Sequence, residues 1–124
     1  MKKLEFTVFP SQEATISVED DKVYGGAHYY EAKTCLGFEN GKTLYTDETV
    51  IIPFVKKNDD GTTVAGLQSE QLAYILLDRA VKLNNRFPSV QNEKMITGLQ
   101  MFIDACEERV NERMERGVMG ELKK

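Results

Sequence analysis

The chain has 124 residues, enough for one domain with a modest core. Charged residues make up 29% and hydrophobic ones 41%, with 9 Gly and 3 Pro, which excludes collagen-like, mucin-like and wholly disordered chains. Sixteen Lys and Arg against twenty Asp and Glu give a net charge of −4, so general binding to DNA or an acidic membrane is not expected. Cys35 and Cys106 stand 71 residues apart without a CxxC pair or a nearby His, the pattern of two reduced thiols. No run approaches the roughly 18 apolar residues of a membrane span. The N-terminus meets charge at Lys2, Lys3 and Glu5, too early for a signal peptide. A soluble, cytoplasmic protein is expected.

Residues 1–65 read as short strands. Positions 4–9 alternate apolar and polar until Pro10 ends the run, and 14–18 alternate again with Ile16 and Val18 on one face. Charges at 19–22 make a turn. A β-prone stretch over 23–38 follows, interrupted at Gly25-Gly26 by a bulge or close backbone approach. Asn40-Gly41 tolerates the positive φ of a type I′ turn and predicts a hairpin between 36–38 and 43–45. A further strand is expected over 49–55; Pro53 cannot donate to a ladder, so it belongs at an edge or a bulge. Residues 56–61 turn the chain, and 62–65 pair briefly. The sum is an antiparallel sheet of four to six strands.

After Gly66 the period becomes helical. Ser69 is placed to cap a first helix, whose apolar stripe reads Leu72, Ile75, Leu76, Ala80 and Leu83. Pro88 disfavours helical geometry at Phe87, and Ser89 caps a second helix over about 90–116 with Gly117 as its stop. In that helix Ile96, Leu99, Ile103, Cys106 and Val110 recur at 3-4 spacing, a helix–helix seam that Asn92 and Arg113 extend at either end. The expected architecture is therefore α+β: one domain over 1–124, with a β-sheet portion at 1–65 and an antiparallel two-helix hairpin at 66–120.

Few residues suggest catalysis. Gly41-Lys42-Thr43 lacks the first glycine of a phosphate-binding loop and sits in a hairpin turn. His28 has no Cys or second His at ligand spacing, which argues against a transition-metal site, and no nucleophile signature accompanies it. Adjacent Glu107 and Glu108 diverge around the helix. No cofactor or metal is expected, and nothing requires an enzyme. The informative cluster is Arg109, Arg113 and Arg116 at i, i+4 and i+7. From spacing alone the row reads either as a solvated face balanced by Glu107, Glu108, Glu112 and Glu115, the commoner case, or as an anion site. Two guanidiniums one turn apart grip a diphosphate through forked hydrogen bonds, and the N-terminus of the first helix would lie alongside.

The segment 66–72 leading to Leu77-Asp78-Arg79, Phe87 five residues before Asn92, and the ending Arg109…Arg113-Met114-Glu115-Arg116-Gly117-Val118-Met119-Gly120 resemble a helical-hairpin module of phage proteins. That module is shared by the Thoeris anti-defence nucleotide sponges and the anti-CBASS cyclic-oligonucleotide sponges; the β-rich N-terminal part is similar to the Thoeris type. The resemblance implies a non-catalytic protein that sequesters cyclic ADP-ribose isomers made by bacterial TIR-domain proteins, with cyclic di- and trinucleotides as further ligands. It implies Arg109 and Arg113 as pyrophosphate contacts, Asn92 as a polar contact and Phe87 as an aromatic surface, with Leu83 where relatives carry an aromatic residue. Asn92 and Arg113 are 21 residues apart, about 31 Å along one helix, so both reach one small ligand only if two chains pair antiparallel. A homodimer, or an assembly of dimers joined through the helices, is expected. The competing readings are a protein-interaction adaptor without nucleotide binding and a nucleotide hydrolase using carboxylates such as Asp78 and Asp104.

Overall fold

The computed structural model describes residues 1–5 and 8–117. An N-terminal antiparallel sheet is followed by two helices, an α+β arrangement. The sheet has strand order β1-β2-β3-β4, formed by Lys2–Lys3 (β1), Ile16–Val18 (β2), Tyr29–Glu39 (β3) and Lys42–Pro53 (β4). Lys56–Lys57 (β5) and Thr63–Val64 (β6) make a separate two-stranded ribbon. The helices are Ser69–Arg86 (α1) and Val90–Glu115 (α2). By its contacts the chain divides into two compact units, residues 1–56 with 63–66 and residues 57–62 with 67 onward.

The Asn-Gly turn forms as expected, for a local reason. Asn40 and Gly41 both take positive φ, 52° and 76°, which closes β3 on β4 with Glu39 opposite Lys42. The hairpin is longer than the sequence suggested. No separate strand begins at 49, because β4 runs unbroken from Lys42 to Pro53. As the outer strand it tolerates Asp47 and Glu48, and register shifts between Lys33 and Gly37 absorb the irregularity on β3. Pro53 ends this edge strand, where its missing N–H does no harm.

Two other β expectations need correction. Residues 4 and 5 are not strand, and Val8 and Phe9 both donate backbone N–H groups to Gln12 Oε1, at 3.0 and 3.3 Å. A side chain has replaced the ladder partner, and the chain enters a 3₁₀ turn at Pro10–Gln12. Phe6 and Thr7, in the middle of that expected strand, lie outside the described residues. The stretch 23–28 is loop, since Gly25 and Gly26 adopt φ of 71° and 86°, outside the extended region. The close approach expected there is present: a Cβ on Gly26 would collide with the Glu19 carbonyl oxygen.

In the helical unit, α2 matches expectation closely. Ser89 Oγ accepts the Asn92 N–H at 3.0 Å as the N-cap, and Gly117, with φ 70°, follows the Arg116 C-cap. Every residue of the anticipated seam, from Asn92 through Ile96, Leu99, Ile103, Cys106 and Val110 to Arg113, is buried or half-buried. The α1 reading was less accurate. The cap residue is Gln68, whose N–H donates to Gln71 Oε1 at 2.8 Å, and Ser69 is already helical. Of the expected stripe Leu72 and Ala80 are half-buried, while Ile75, Leu76 and Leu83 are exposed; the other residues turned inward are Glu70, Ala73, Leu77 and Asn84. Ala73 and Ala80 on this face allow close approach of the two helix axes.

At the β5–β6 turn, Asp60 Oδ1 accepts from the Thr62 hydroxyl at 2.6 Å and the Thr62 N–H at 2.9 Å. These bonds, the hydroxyl's first, hold the Asp60 carboxyl below the usual carboxylate range. The stabilisation they give is present above the ordinary carboxylate pKa and is lost as pH falls through the lowered value.

Gly26 and Gly41 separate two effects. Gly41→Ala meets open space and pays only for positive φ, about 1 kcal/mol. Gly26→Ala adds a collision with backbone and should cost about 2–3 kcal/mol. Urea unfolding followed by tyrosine fluorescence checks the difference; equal losses would show that the loop yields freely.

Candidate functional site

The turn between the helices is built by side-chain bonds to backbone. Asn84 Oδ1 accepts the Ser89 N–H at 3.1 Å, and Phe87 N–H donates to the Leu83 carbonyl at 2.8 Å. Asn92 Nδ2 donates to the Phe87 carbonyl at 2.9 Å. Leu83, Phe87 and Asn92, three of the five residues singled out from sequence, are thus brought together at one tip. Leu83 and Phe87 are exposed there, while Asn92 is half-buried. Arg86, which the sequence reading passed over, places its guanidinium 5.3 Å from the centre of the Phe87 ring. Its position immediately before the aromatic was the available signal. The tip therefore offers an aromatic face, an amide and a cation.

Arg109 and Arg113 sit at the other end of α2. The helix is continuous over 26 residues, so the separation of about 31 Å between Asn92 and Arg113 stands, and one chain does not bring the two groups together. Arg109 is exposed. Arg113 is half-buried on the seam and already has a partner within the chain. Arg116 forms a forked ion pair with Glu112 one turn back, through both Nε and Nη2. An exposed pair of this kind adds only about 0.3–0.5 kcal/mol, so Arg116 is readily released to another anion. Val118, Met119 and Gly120 of the arginine-rich ending lie outside the described residues.

The start of α1 lies beside the C-terminal half of α2, as an antiparallel hairpin requires. A groove of about 170 Å³ between them is lined by Glu70, Tyr74, Ile103, Cys106, Glu107 and Val110. Two carboxylates on this groove disfavour an anion inside it. The arginines stand beside it, toward the end of the helix. The groove is also smaller than the roughly 300–1,000 Å³ typical of a drug-sized ligand. The helical unit thus carries an aromatic–amide tip and a guanidinium cluster at opposite ends of α2.

Both cysteines are free, Cys35 exposed and Cys106 half-buried. Among the described residues one group of metal-capable side chains comes together: Glu19, Asp21 and His28 in the sheet-bearing unit. The search for a second His or Cys overlooked it, because its other members are carboxylates seven and nine positions earlier. No protein-family model and no curated protein sequence matches the chain. Among the described residues no helix is long and apolar enough to cross a membrane.

The tip can be loosened without removing the Phe87 ring or the Asn92 amide. Ser89→Ala removes the α2 N-cap and should lower stability by about 1 kcal/mol while the Asn92 amide and Phe87 ring remain. Thermal unfolding by circular dichroism tests this; an unchanged midpoint would mean that Asn92 N–H finds another acceptor.

Proposed function

We propose that the protein is a non-catalytic phage anti-defence protein. In the bacterial host cytoplasm it binds and holds the cyclic ADP-ribose isomers that TIR-domain proteins release, with cyclic oligonucleotides as further ligands, so that the immune effector is starved of its signal. The observation that carries this reading is the placement of two complementary half-sites at opposite ends of a continuous helix. Antiparallel pairing of two hairpins would set Phe87 and Asn92 of one protomer against Arg109 and Arg113 of its partner. The guanidiniums would fork onto the diphosphate, and the Phe87 ring would offer a stacking face for the base.

The surface of the helical unit supports pairing. Among its described residues the buried hydrophobic ones are Ala73 and Ile103, whereas Tyr74, Ile75, Leu76, Met101, Phe102 and Met114 are exposed. That much exposed apolar side chain is more than a free-standing hairpin needs and suits a surface that is covered. A sponge need not turn over, so its design is to bury the ligand with each phosphate oxygen paired. The same apolar faces favour a second reading, an adaptor that covers them with another protein and binds no nucleotide.

Capture separates the readings. Protein incubated with a cyclic ADP-ribose isomer, freed of unbound ligand and then heated should release the nucleotide intact by mass spectrometry. A hydrolysed product would mean an enzyme, and an empty supernatant an adaptor. Mixing tests the shared site. Phe87→Ala/Asn92→Ala protein and Arg109→Ala/Arg113→Ala protein should each fail to bind in calorimetry while remaining folded and dimeric. After the two are unfolded and refolded together in equal amounts, half of the dimers are mixed, and each has one intact site, so about a quarter of normal binding should return. No recovery would place the two groups in separate sites.

A further inference from the structure

We infer that Glu19, Asp21 and His28 form a binding site for a divalent transition-metal ion. The site lies in the sheet-bearing unit and is independent of the nucleotide reading. The backbone brings these residues together. Glu19 N–H donates to the Tyr29 carbonyl at 3.0 Å, extending the β2–β3 pairing by one bond and pinning both ends of the excursion between them. Within that loop the left-handed Gly25 and Gly26 turn the chain back until Gly26 lies against the Glu19 carbonyl, a contact only glycine permits. His28 N–H then donates to Glu19 Oε1 at 3.0 Å, and Asp21 Oδ1 accepts from Val23 N–H at 3.0 Å. Tyr24 packs edge-on against the imidazole, with ring centres 4.7 Å apart.

These contacts leave particular atoms over. One ligand atom from each of the three side chains lies within 4.8 Å of the others. Asp21 Oδ2 and His28 Nδ1 are buried with no hydrogen-bond partner. The His28 Nδ1 to Glu19 Oε1 distance is 3.9 Å, too long for a hydrogen bond. It falls within the span of about 3–4 Å that two ligands with bonds near 2.1 Å keep across a common ion. A proton on Nδ1 would serve only one of these atoms, whereas a dication bonds all three and offsets both carboxylate charges. One imidazole nitrogen with two carboxylates suits Zn²⁺, Co²⁺, Fe²⁺ or Mn²⁺, and the nitrogen sets the site apart from those of Mg²⁺ and Ca²⁺. Three protein ligands leave water in the remaining positions. The ion would clasp the glycine loop onto the end of β2.

Zn²⁺ is the probe. His28 is the only histidine, so the imidazole nitrogens of the wild-type chain give one resolvable set of signals in nitrogen-correlated NMR. Zn²⁺ should shift the Nδ1 signal, bind at one equivalent in calorimetry and raise the thermal midpoint. His28→Gln and Asp21→Asn should each weaken binding tenfold or more, and Cys35→Ser/Cys106→Ser should not. An Nδ1 signal unmoved by millimolar Zn²⁺ in the wild-type protein would overturn the site without recourse to any variant. So would binding that survives His28→Gln, or Mg²⁺ bound as tightly as Zn²⁺.

Discussion

An unbroken α-helix is a rigid spacer, and 26 residues at 1.5 Å each hold the ends of α2 about 39 Å apart. The proposed sharing of one ligand between two chains rests on that length. The tip and the arginine end are each chemically suited to part of a nucleotide, yet no rotamer change lets them meet within one chain. The rigidity has a visible source. Ser89 caps the first turn, Gly117 stops the last, and the interior holds no proline. Its one interior glycine, Gly98, meets nothing within 4 Å where a side chain would project, so it marks neither a kink nor a close contact. A helix so well terminated behaves as one piece, and a site that uses both ends must take its second half from elsewhere.

The seam explains why apolar surface remains exposed. Helices that approach through alanine make a narrow contact, and α1 presents Ala73 and Ala80 to α2. Leu72 and Leu77 of α1 are half-buried, whereas Ile75 and Leu76 are each more than half exposed. Leaving such residues half exposed is costly for an isolated hairpin, because each forgoes part of the roughly 1.5–3 kcal/mol that full burial would bring. The arrangement becomes reasonable when a second surface covers the outer face. The thinness of the intramolecular core and the size of the outer apolar face are thus one fact seen from two sides.

How far this was legible in the sequence differs between the two helices for that same reason. In α2 Ile96, Leu99, Ile103, Cys106 and Val110 recur at 3-4 spacing, and the polar residues that extend the seam, Asn92 and Arg113, keep it, so periodicity found it although Met101 and Phe102 are exposed. In α1 Ile75, Leu76 and Leu83 are exposed, and a reading that sends every apolar residue inward finds only Leu72 and Ala80; the inside rule runs one way only. Among the strands, Asn40-Gly41 was legible because a turn type demands those residues at those φ values. The failure at Val8 and Phe9 came from Gln12, whose side chain supplies the acceptor that a neighbouring strand would have supplied. Side-chain competition of that kind leaves no trace in an alternating pattern.

The Glu19–Asp21–His28 cluster shows a different limit. Motif reading looks for ligands at fixed spacing on one element, as in two histidines a turn apart, because a helix or strand then fixes their geometry. Here a loop does the fixing. Two positive-φ glycines reverse the chain, and a backbone bond from Glu19 to Tyr29 closes it, so residues seven and nine positions apart converge without sharing any period. The individual signs were present in the sequence: an acidic run at 19–21, a Gly-Gly pair, then the lone histidine. What sequence alone lacks is the direction of the return. Only the close contact of Gly26 with the Glu19 carbonyl turns the imidazole toward the carboxylates and leaves Asp21 Oδ2 and His28 Nδ1 buried without partners. A buried polar atom that the fold leaves unsatisfied is a stronger pointer to a ligand than any spacing rule, because the fold itself bears its cost until something binds.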